Sequence, residues 1–392
     1  AQMAWLMHPQ EFGERIAGLS SALWELQWHT WRRAVGLPSP DPVKPNADDP
    51  RFADPVWTES ATWDLVKEWY LAFTHHMQDM LYDTPGLSSK ERRRAAFWWR
   101  KWLNAVAPTN YLLTNPLALR KFIDSRGESL MQGWRNMLAD LQAGNVRMTD
   151  PDGFEVGGNL ATTPGAVIFR NRLLEVIHYA PTQPQVHAEP VVIVTPWINK
   201  FYILDLNPKK SMVRYLLDQG LDVYITSWKN PDASMRDVRF DDYLTEGAIV
   251  QVAREFSGAD KVHAVGYCIG GTALATWMAW AARHYGDDAV PVRDWTLFTT
   301  LVDFHKPGDI EVFIDAQTVD HLTEQMAKQG YLDGKDMAAS FRLLRSNSLI
   351  WHYVVQGWLY GEAPPAFDVL FWNMDTTRMP YAMHAWYLRE LY

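Results

Sequence analysis

The chain has 392 residues, of which 47% are hydrophobic, and carries a formal net charge of −9 at pH 7. This composition predicts a globular protein with a large core, and its acidic balance argues against nucleic acid as a partner. A single cysteine excludes an internal disulfide framework and a thiolate zinc site, so we expect a protein of a reducing compartment, the cytoplasm, with no metal and no cofactor. The first residues lack the pattern of a signal peptide, and the absence of any run of about 18 apolar residues predicts no transmembrane segment.

Residues 1–145 predict a helical N-terminal domain. Amphipathic patterns indicate four helices in it, over residues 11–35, 61–81, 90–105 and 117–143. Polar residues at the start of the last three helices supply the predicted N-caps, namely Ser60, Ser88 or Ser89, and Asn115 before Pro116. A connector rich in proline and aspartate occupies residues 41–50, between the first two helices.

Tryptophan is concentrated in this N-terminal domain, with pairs at helical spacing such as Trp24 and Trp28. Aromatic residues at this spacing more often pack in a core than form a binding site. So many amphipathic rings also fit a helical layer that contacts a large apolar partner. The sequence leaves both interpretations open.

From about residue 150 the pattern changes to short apolar runs that alternate with helical runs. Strands are predicted over residues 166–169, 173–179, 191–195, 222–228, 262–265 and 295–302. Helices are predicted over residues 211–219, 241–257 and 272–283. Such alternation predicts right-handed crossovers and a mostly parallel sheet. Residues 305–392 return to irregular and helical patterns, with no further strand of this sheet.

The only cysteine, Cys268, lies between a predicted strand and a predicted helix, with Gly266 and Gly270 two residues away on either side. This pattern is typical of a nucleophile elbow, in which the glycines let strand and helix approach closely. It predicts an α/β-hydrolase fold with Cys268 as the nucleophile. Because the thiol would lie at the N-terminus of a helix, we expect a lowered pKa and a reactive sulfur. A buried structural cysteine is the alternative.

In that fold the oxyanion hole takes one amide from the residue after the nucleophile and another from the loop after an earlier strand. The backbone N–H of Ile269 is the first candidate. The second is a backbone N–H near Trp197 or Ile198, of which Ile198 is preferred.

Four runs of the sequence resemble the signature motifs of class I polyhydroxyalkanoate synthases. They are Pro196–Leu206, Ser227–Met235, Gly266–Thr272 and Phe371–Asn373. The resemblance covers nearly the whole chain and includes Asp49-Pro50-Arg51-Phe52 with Trp57. It implies that (R)-3-hydroxyacyl-CoA, such as 3-hydroxybutyryl-CoA, is polymerised into polyester through a covalent cysteine thioester, with release of CoA. It also implies a homodimer, granule-associated proteins as partners, and a place in the cytoplasm on the surface of polyester granules.

The resemblance implies three regions. Residues 1–145 would be the helical domain that serves dimerisation or granule association, residues 146–304 the α/β-hydrolase core, and residues 305–392 a helical cap over the active site. The resemblance also implies that Trp197, Asn230, Asp232 and Trp372 bind the substrate. Local turn structure is the alternative for the run that holds Asn230 and Asp232, and positioning of the cap is the alternative for Trp372.

A nucleophilic cysteine needs a histidine base that is held by an acid. In the family both follow the cap, so we expect the acid and the histidine beyond Tyr392, in a C-terminal part that this chain lacks. Within the chain, Asp303 and His305 are the best stand-ins, because they follow a strand of the sheet, although a solvated pair is the simpler interpretation. His284, His321, His352 and His384 are the other histidines after residue 268.

Two other functions remain open from the sequence. One is a cysteine-type α/β hydrolase, such as a thioesterase or a dienelactone hydrolase. The other is an inactive, granule-associated scaffold that lacks the catalytic base.

Overall fold

The computed structural model describes residues 2–43 and 49–392. Half of the predicted connector at residues 41–50, namely residues 44–48, therefore lies outside the described residues. The chain divides into two compact units. The helical unit contains the residues up to Met148 together with Arg342–Pro364, and the sheet unit contains Thr149–Phe341 together with Pro365–Tyr392.

Helices account for most of the regular structure. In chain order they are α1 (Gln2–Met7), α2 (Pro9–Ala34), α3 (Val56–Glu59), α4 (Ala61–Tyr82), α5 (Ser89–Ala105), α6 (Pro116–Asp124), α7 (Glu128–Ala143), α8 (Met212–Asp218), α9 (Phe240–Thr245), α10 (Ile249–Ser257), α11 (Ile269–Tyr285), α12 (Ala316–Gln329), α13 (Gly334–Leu344), α14 (His352–Val354), α15 (Asp368–Met374) and α16 (Tyr381–Glu390). No helix of the described ranges is both long and apolar enough to cross a lipid bilayer.

Helix caps explain where several helices of the helical unit begin. Ser88 forms a reciprocal capping box with Glu91 at the start of α5, and Asn115 accepts hydrogen bonds from two backbone N–H groups of α6. Both caps were predicted. The Ser60 prediction was wrong in one respect, because the residue precedes α4 without a side-chain capping bond. The predicted helix over 117–143 is broken into α6 and α7, since Gly127 takes a left-handed conformation with φ of 91°.

The core of the helical unit is aromatic. Trp57 is fully buried and packs with Phe52 and Tyr70. Other tryptophans of this unit have side chains that face solvent, among them Trp24 and Trp28 on α2. Packing in a core is thus confirmed for Trp57, whereas contact with an apolar partner stays a prediction for the exposed tryptophans.

The segment Arg342–Pro364 belongs to the helical unit although the sequence assigns it to the cap. It contains α14 and packs on α7, where Asp140 accepts a hydrogen bond of 2.9 Å from the Trp358 indole N–H. A Cβ atom on Gly133 would overlap the backbone carbonyl of Trp358, so the two chain segments are in close contact. The packing groups this part of residues 305–392 with the N-terminal helices.

The sheet unit is built on one six-stranded sheet and two short ladders. The strands are β1 (Gly165–Arg170), β2 (Leu174–Tyr179), β3 (Val191–Val194), β4 (Asp205–Asn207), β5 (Lys210–Ser211), β6 (Val223–Trp228), β7 (Val262–Tyr267), β8 (Val292–Phe298), β9 (Tyr331–Leu332) and β10 (Met379–Pro380). The large sheet has the order β1-β2-β6-β3-β7-β8, and the short ladders pair β4 with β5 and β9 with β10.

Strands β6, β3, β7 and β8 run parallel, whereas β1 and β2 are antiparallel to their neighbours. All four residues of β3 are buried, as expected of a central strand covered on both faces. A mostly parallel sheet with a strand-to-helix elbow after β7 confirms the predicted α/β-hydrolase fold. Two predicted elements differ in detail. Strand β8 covers Val292–Phe298 instead of residues 295–302, and the helix predicted over 241–257 is interrupted at Gly247, where a Cβ atom would overlap the carbonyl of Tyr243.

Candidate active site

Cys268 lies at the turn between β7 and α11 with φ of 53° and ψ of −127°, a backbone conformation that costs energy in a residue with a side chain. Hydrogen bonds hold this turn in place. The N–H of Cys268 donates to the carbonyl of Phe298 at 2.9 Å, and its own carbonyl accepts from the N–H of Gly271 at 2.9 Å. Strand and helix thus present the side chain of residue 268 from a constrained backbone.

The positions two residues away on either side of Cys268 require glycine, because neighbouring backbone atoms leave no room for a Cβ atom there. A Cβ atom on Gly270 would lie 2.5 Å from the carbonyl oxygen of Thr195, and one on Gly266 would lie 2.5 Å from the Cα of Gly271. Both elbow glycines therefore act as the pattern predicts. Gly271 is a third close-approach glycine, because a Cβ atom there would overlap the side chain of Thr300. The sequence assigned no role to Gly271, since its neighbour lies in a loop 29 residues away.

The environment of the thiol contradicts the expected low pKa. Burial raises the pKa of Cys268, and the hydrogen bond from the Ile269 N–H lowers it only in part. The loss of hydration destabilises the thiolate by more than the N–H groups in the first turn of α11 stabilise it. The sulfur is consequently a protonated thiol at neutral pH until a base takes its proton.

Aromatic side chains from distant parts of the chain surround this thiol. Burial raises the pKa of Tyr267, Tyr387 and Tyr392, and the proximity of the Cys268 sulfur raises each of them further. The hydroxyls of Tyr387 and Tyr392 lie 3.3 Å apart, and the ring of Phe304 packs edge-on against both. The sequence analysis missed these residues, because only the fold brings α16 to the elbow.

Trp197 lies three residues after the end of β3, and its side chain belongs to the core. It is 2% exposed and its ring packs against Trp228, Phe240 and Tyr243. The next residue, Ile198, is half-buried. The Trp197 indole is thus a core side chain, and of these two residues only Ile198 is partly exposed.

The other predicted substrate-binding residues all have hydrogen-bond partners within the protein. The Oδ1 of Asn230 accepts from the N–H of Arg378 at 2.9 Å, and the Trp372 indole N–H donates to the carbonyl of Lys200 at 2.8 Å. Asp232 accepts from the hydroxyl and the N–H of Ser234, which lower the pKa of this exposed carboxyl. Asp232 shows the bonds of a local turn, whereas the bonds of Asn230 and Trp372 join residues 148 and 172 positions apart in the chain.

Asp303 and His305 pair with each other at the surface. The Nδ1 of His305 lies 2.7 Å from Oδ1 of Asp303, and the two side chains are 93% and 75% exposed. The backbone N–H and the ring of His305 lower the pKa of the Asp303 carboxyl. His384 is the opposite case, since complete burial lowers its pKa to about 4. Within residues 2–43 and 49–392 we find no histidine hydrogen-bonded to the Cys268 thiol.

One group of side chains in the helical unit has the composition of a metal site. His29, Asp41 and Asp64 bring their ligand atoms within 4.8 Å of one another. Two cations already neutralise them, because Lys67 lies 3.0 Å and Arg33 lies 2.7 Å from the carboxylate of Asp64. This arrangement is that of a buried ion-pair network.

Comparison with known proteins shows what this chain is similar to. Residues 48–216 match the family model described as the N-terminus of poly-beta-hydroxybutyrate polymerase (PhaC). The chain is 41% identical over 394 residues to a poly(3-hydroxyalkanoate) polymerase of Methylorubrum extorquens, an alignment that covers 99% of this chain and 65% of the relative. It is 40% identical over 380 residues to the poly(3-hydroxyalkanoate) polymerase subunit PhaC of Cupriavidus necator, covering 95% of this chain and 62% of the relative. The chain thus spans a little under two thirds of the length of these relatives.

Proposed function

We propose that this chain is a part of a poly(3-hydroxyalkanoate) polymerase, as its similarity to such enzymes supports. It would polymerise (R)-3-hydroxyacyl-CoA into polyester with release of CoA, and 3-hydroxybutyryl-CoA is the first substrate to test. The observation that carries the proposal is the position of the only cysteine at a nucleophile elbow of an α/β-hydrolase core. A thiol suits this substrate, because exchange between thiol and thioester is nearly isoenergetic and keeps the acyl chain activated on sulfur.

In the first step the sulfur of Cys268, once deprotonated, attacks the thioester carbonyl. A bond forms between this sulfur and the carbonyl carbon, the bond to the CoA sulfur breaks, and CoA leaves as a thiol after it takes a proton. The backbone N–H groups of Ile269 and Ile198 stabilise the oxyanion in between. In the second step the 3-hydroxyl of another acyl unit, whose proton the base takes, attacks the carbonyl carbon of the enzyme thioester. An ester bond forms, the bond from this carbon to the Cys268 sulfur breaks, and the sulfur regains a proton from the base.

Both steps need a general base, because the raised pKa keeps the Cys268 thiol protonated at neutral pH. The exposed Asp303–His305 pair is a poor candidate for a buried sulfur, and His384 with a pKa of about 4 is a weak base. The proposal therefore places the catalytic acid and histidine outside the described residues, after Tyr392, as the resemblance implies.

The reaction also requires that water be kept from the enzyme thioester. Tyr387, Tyr392 and Phe304 form an apolar wall near the thiol, with hydroxyls that stay protonated. These contacts support a cap function for the part of residues 305–392 that lies in the sheet unit.

Association with polyester granules is part of the same proposal, and exposed tryptophans on α2 support it. Trp24 is 76%, Trp28 is 60% and Trp31 is 51% exposed, and the rings of Trp28 and Trp31 stack at 4.9 Å. A contiguous exposed apolar patch of this kind marks a site of contact with another apolar surface. The surface of a polyester granule in the cytoplasm, with or without granule-associated proteins, would contact these tryptophans.

Exposed apolar residues on α7 support the proposed homodimer. Met131, Trp134, Leu138 and Leu141 follow one another at intervals of three, four and three residues and are all exposed. This narrow stripe has the spacing of a helix–helix seam, which a second copy of α7 would fill.

Product analysis tests the function. The protein extended to its natural end is incubated with 3-hydroxybutyryl-CoA, and released CoA and acyl products are measured together. Polymer with CoA supports the proposal, whereas free 3-hydroxybutyrate with CoA would identify a thioesterase. No CoA release would leave the scaffold function. A Cys268→Ala variant is the control for release that does not involve the thiol.

A further inference from the structure

The loop that follows β3 is held by a segment from the other end of the sheet unit. Residues 372–378 lie along residues 197–202 and form bonds with them at several points. The Trp372 indole N–H donates to the carbonyl of Lys200 at 2.8 Å, and the Tyr202 hydroxyl donates to Asp375 at 2.9 Å. A backbone bridge also joins Asn199 to Thr376. The loop conformation thus depends on residues about 175 positions away in the chain.

Thr377 contacts the part of the loop that contains Trp197 and Ile198. Its side chain is buried, and its hydroxyl lies 2.6 Å from the carbonyl oxygen of Trp197 and 2.5 Å from that of Ile198. A hydroxyl has one proton, so it donates to one of these two oxygens at a time. Two successive peptide groups of the loop therefore share one buried donor.

The bond to the Trp197 carbonyl also orients the N–H of Ile198. The Trp197 carbonyl and the Ile198 N–H belong to the same planar, trans peptide group, in which they point in opposite directions. A donor that holds the carbonyl on one side therefore aims the Ile198 N–H to the other side. This N–H is the amide that the proposed function uses in the oxyanion hole.

The 372–378 segment is itself anchored at its end. The N–H of Arg378 donates to the side chain of Asn230 after β6, and Met379–Pro380 pair with Tyr331–Leu332. A Cβ atom on Gly334 would lie 2.6 Å from the Thr376 hydroxyl, so α13 also contacts the segment closely. Thr377 is consequently held by structure on both sides.

We propose that Thr377 is a positioning residue, which orients the Ile198 N–H for the oxyanion through its hydroxyl bond to the Trp197 carbonyl. The inference rests on the proposed acyl transfer. It assigns to Asn230 and Trp372 a part in the same support, through the segment that carries Thr377. No contact between Thr377 and substrate is required.

The test compares Thr377→Val with Thr377→Ser in the full-length protein. Loss of a complete oxyanion donor typically costs about 10²–10³ in kcat. Because Thr377→Val leaves the N–H present but unsupported, we expect a loss of about tenfold or more in kcat with little change in KM. Thr377→Ser keeps the hydroxyl and should restore most of the rate. CoA release and acylation of Cys268 in a single turnover are the readouts.

Thr323→Val is the matched control. Its hydroxyl is also buried and donates to a backbone carbonyl, that of Val319, at 2.6 Å, but within α12. It should lower thermal stability by a similar amount and leave kcat unchanged. If Thr377→Val does not fold, Trp372→Phe replaces it as the test, since it removes the N–H bond to the Lys200 carbonyl and keeps an aromatic ring at this position. That variant should lower kcat at constant KM.

Three results would overturn the inference: a Thr377→Val enzyme with kcat within about twofold of wild type, equal losses of kcat in the two Thr→Val variants, or no rescue by serine. For Trp372→Phe, an unchanged kcat would do the same. Failure of the proposed function looks different, because the wild-type protein itself would then form no polymer, and would release either no CoA or CoA with free 3-hydroxybutyrate.

Discussion

Two opposing effects act on the side chain of Cys268. The free N–H groups at the start of α11 favour the thiolate, whereas burial favours the neutral thiol. In this structure burial is the larger effect, and the pKa is raised. The elbow therefore supplies position and strain, and the nucleophile depends on a separate base for activation.

The pH dependence of alkylation tests this balance. Only the thiolate reacts with iodoacetamide, so a pKa above the ordinary value of 9.0 means that the rate keeps rising beyond that pH. Because the chain has one cysteine, the incorporated label reports on this residue alone. The control is the same chain unfolded in urea, whose rate should level off at lower pH. A folded-state inflection below that of the unfolded chain would show that the helix N-terminus dominates.

The close approach at Gly270 leads to a second prediction. Gly270→Ala would push a methyl group into the carbonyl oxygens of Val194 and Thr195, and overpacking of this kind typically costs about 1–3 kcal/mol. Gly18→Ala is the control, because Gly18 lies within α2 with open space around it and alanine should stabilise the helix by about 0.5–1 kcal/mol. Urea unfolding measures both. A stability change of the same sign in the two variants would contradict the account of the elbow.

At the scale of elements, the ends of helices depend on side chains that bond to the first turn. Ser88 and Ser60 both precede a helix with extended backbone, but only Ser88 bonds to its helix, α5, and receives the reciprocal bond from Glu91. The two residues are both serine, but only Ser88 stabilises its helix through a capping bond. What decides is the geometry of the hydroxyl relative to the N-terminal N–H groups.

This difference predicts unequal effects of the same substitution. Ser88→Ala should lower the free energy of unfolding by about 0.5–2 kcal/mol, the usual cost of a lost N-cap. Ser60→Ala loses no capping bond and should change it by no more than about 0.5 kcal/mol. Chemical denaturation of the two variants under identical conditions gives the comparison. Equal losses would mean that the Ser60 side chain caps α4 in solution.

The sequence was informative wherever a feature is local. The elbow pattern, the strands β1, β2, β3, β6 and β7, and the cap at Asn115 follow from residues within one turn or one strand. It could not place the break at Gly127, since the apolar periodicity of 117–143 continues across it. The supports of the site, Thr377 and Tyr387, are also invisible in the sequence, because their roles arise only from tertiary packing.

At the scale of the whole molecule, each unit combines a core with a surface that remains apolar. The helical unit buries Trp57 in its centre yet leaves the tryptophans of α2 exposed. Burying them within this unit would have stabilised it, so their exposure in the described chain points to contact with something else. A polyester surface offers a large, apolar area of this kind.

Replacement of exposed tryptophans tests this surface. Trp24→Gln combined with Trp28→Gln should reduce binding to poly(3-hydroxybutyrate) particles several-fold. The reason is that the apolar area of two large rings is no longer buried on binding. The matched control combines Trp280→Gln with Trp295→Gln, two tryptophans of the sheet unit that are also exposed. Sedimentation with particles measures the bound fraction, and circular dichroism confirms that the fold is retained. Equal loss of binding in both pairs would contradict a specific role for α2.

The central claim is that the Cys268 sulfur carries the acyl chain. The most direct measurement is mass spectrometry of peptides from the full-length protein, quenched in acid shortly after mixing with 3-hydroxybutyryl-CoA. The account predicts an added 3-hydroxybutyryl group, or a short oligomer of it, on the peptide that contains Cys268, and none in Cys268→Ala. Polymer formation without any acyl group on this peptide, or undiminished polymer formation by Cys268→Ala, would contradict it.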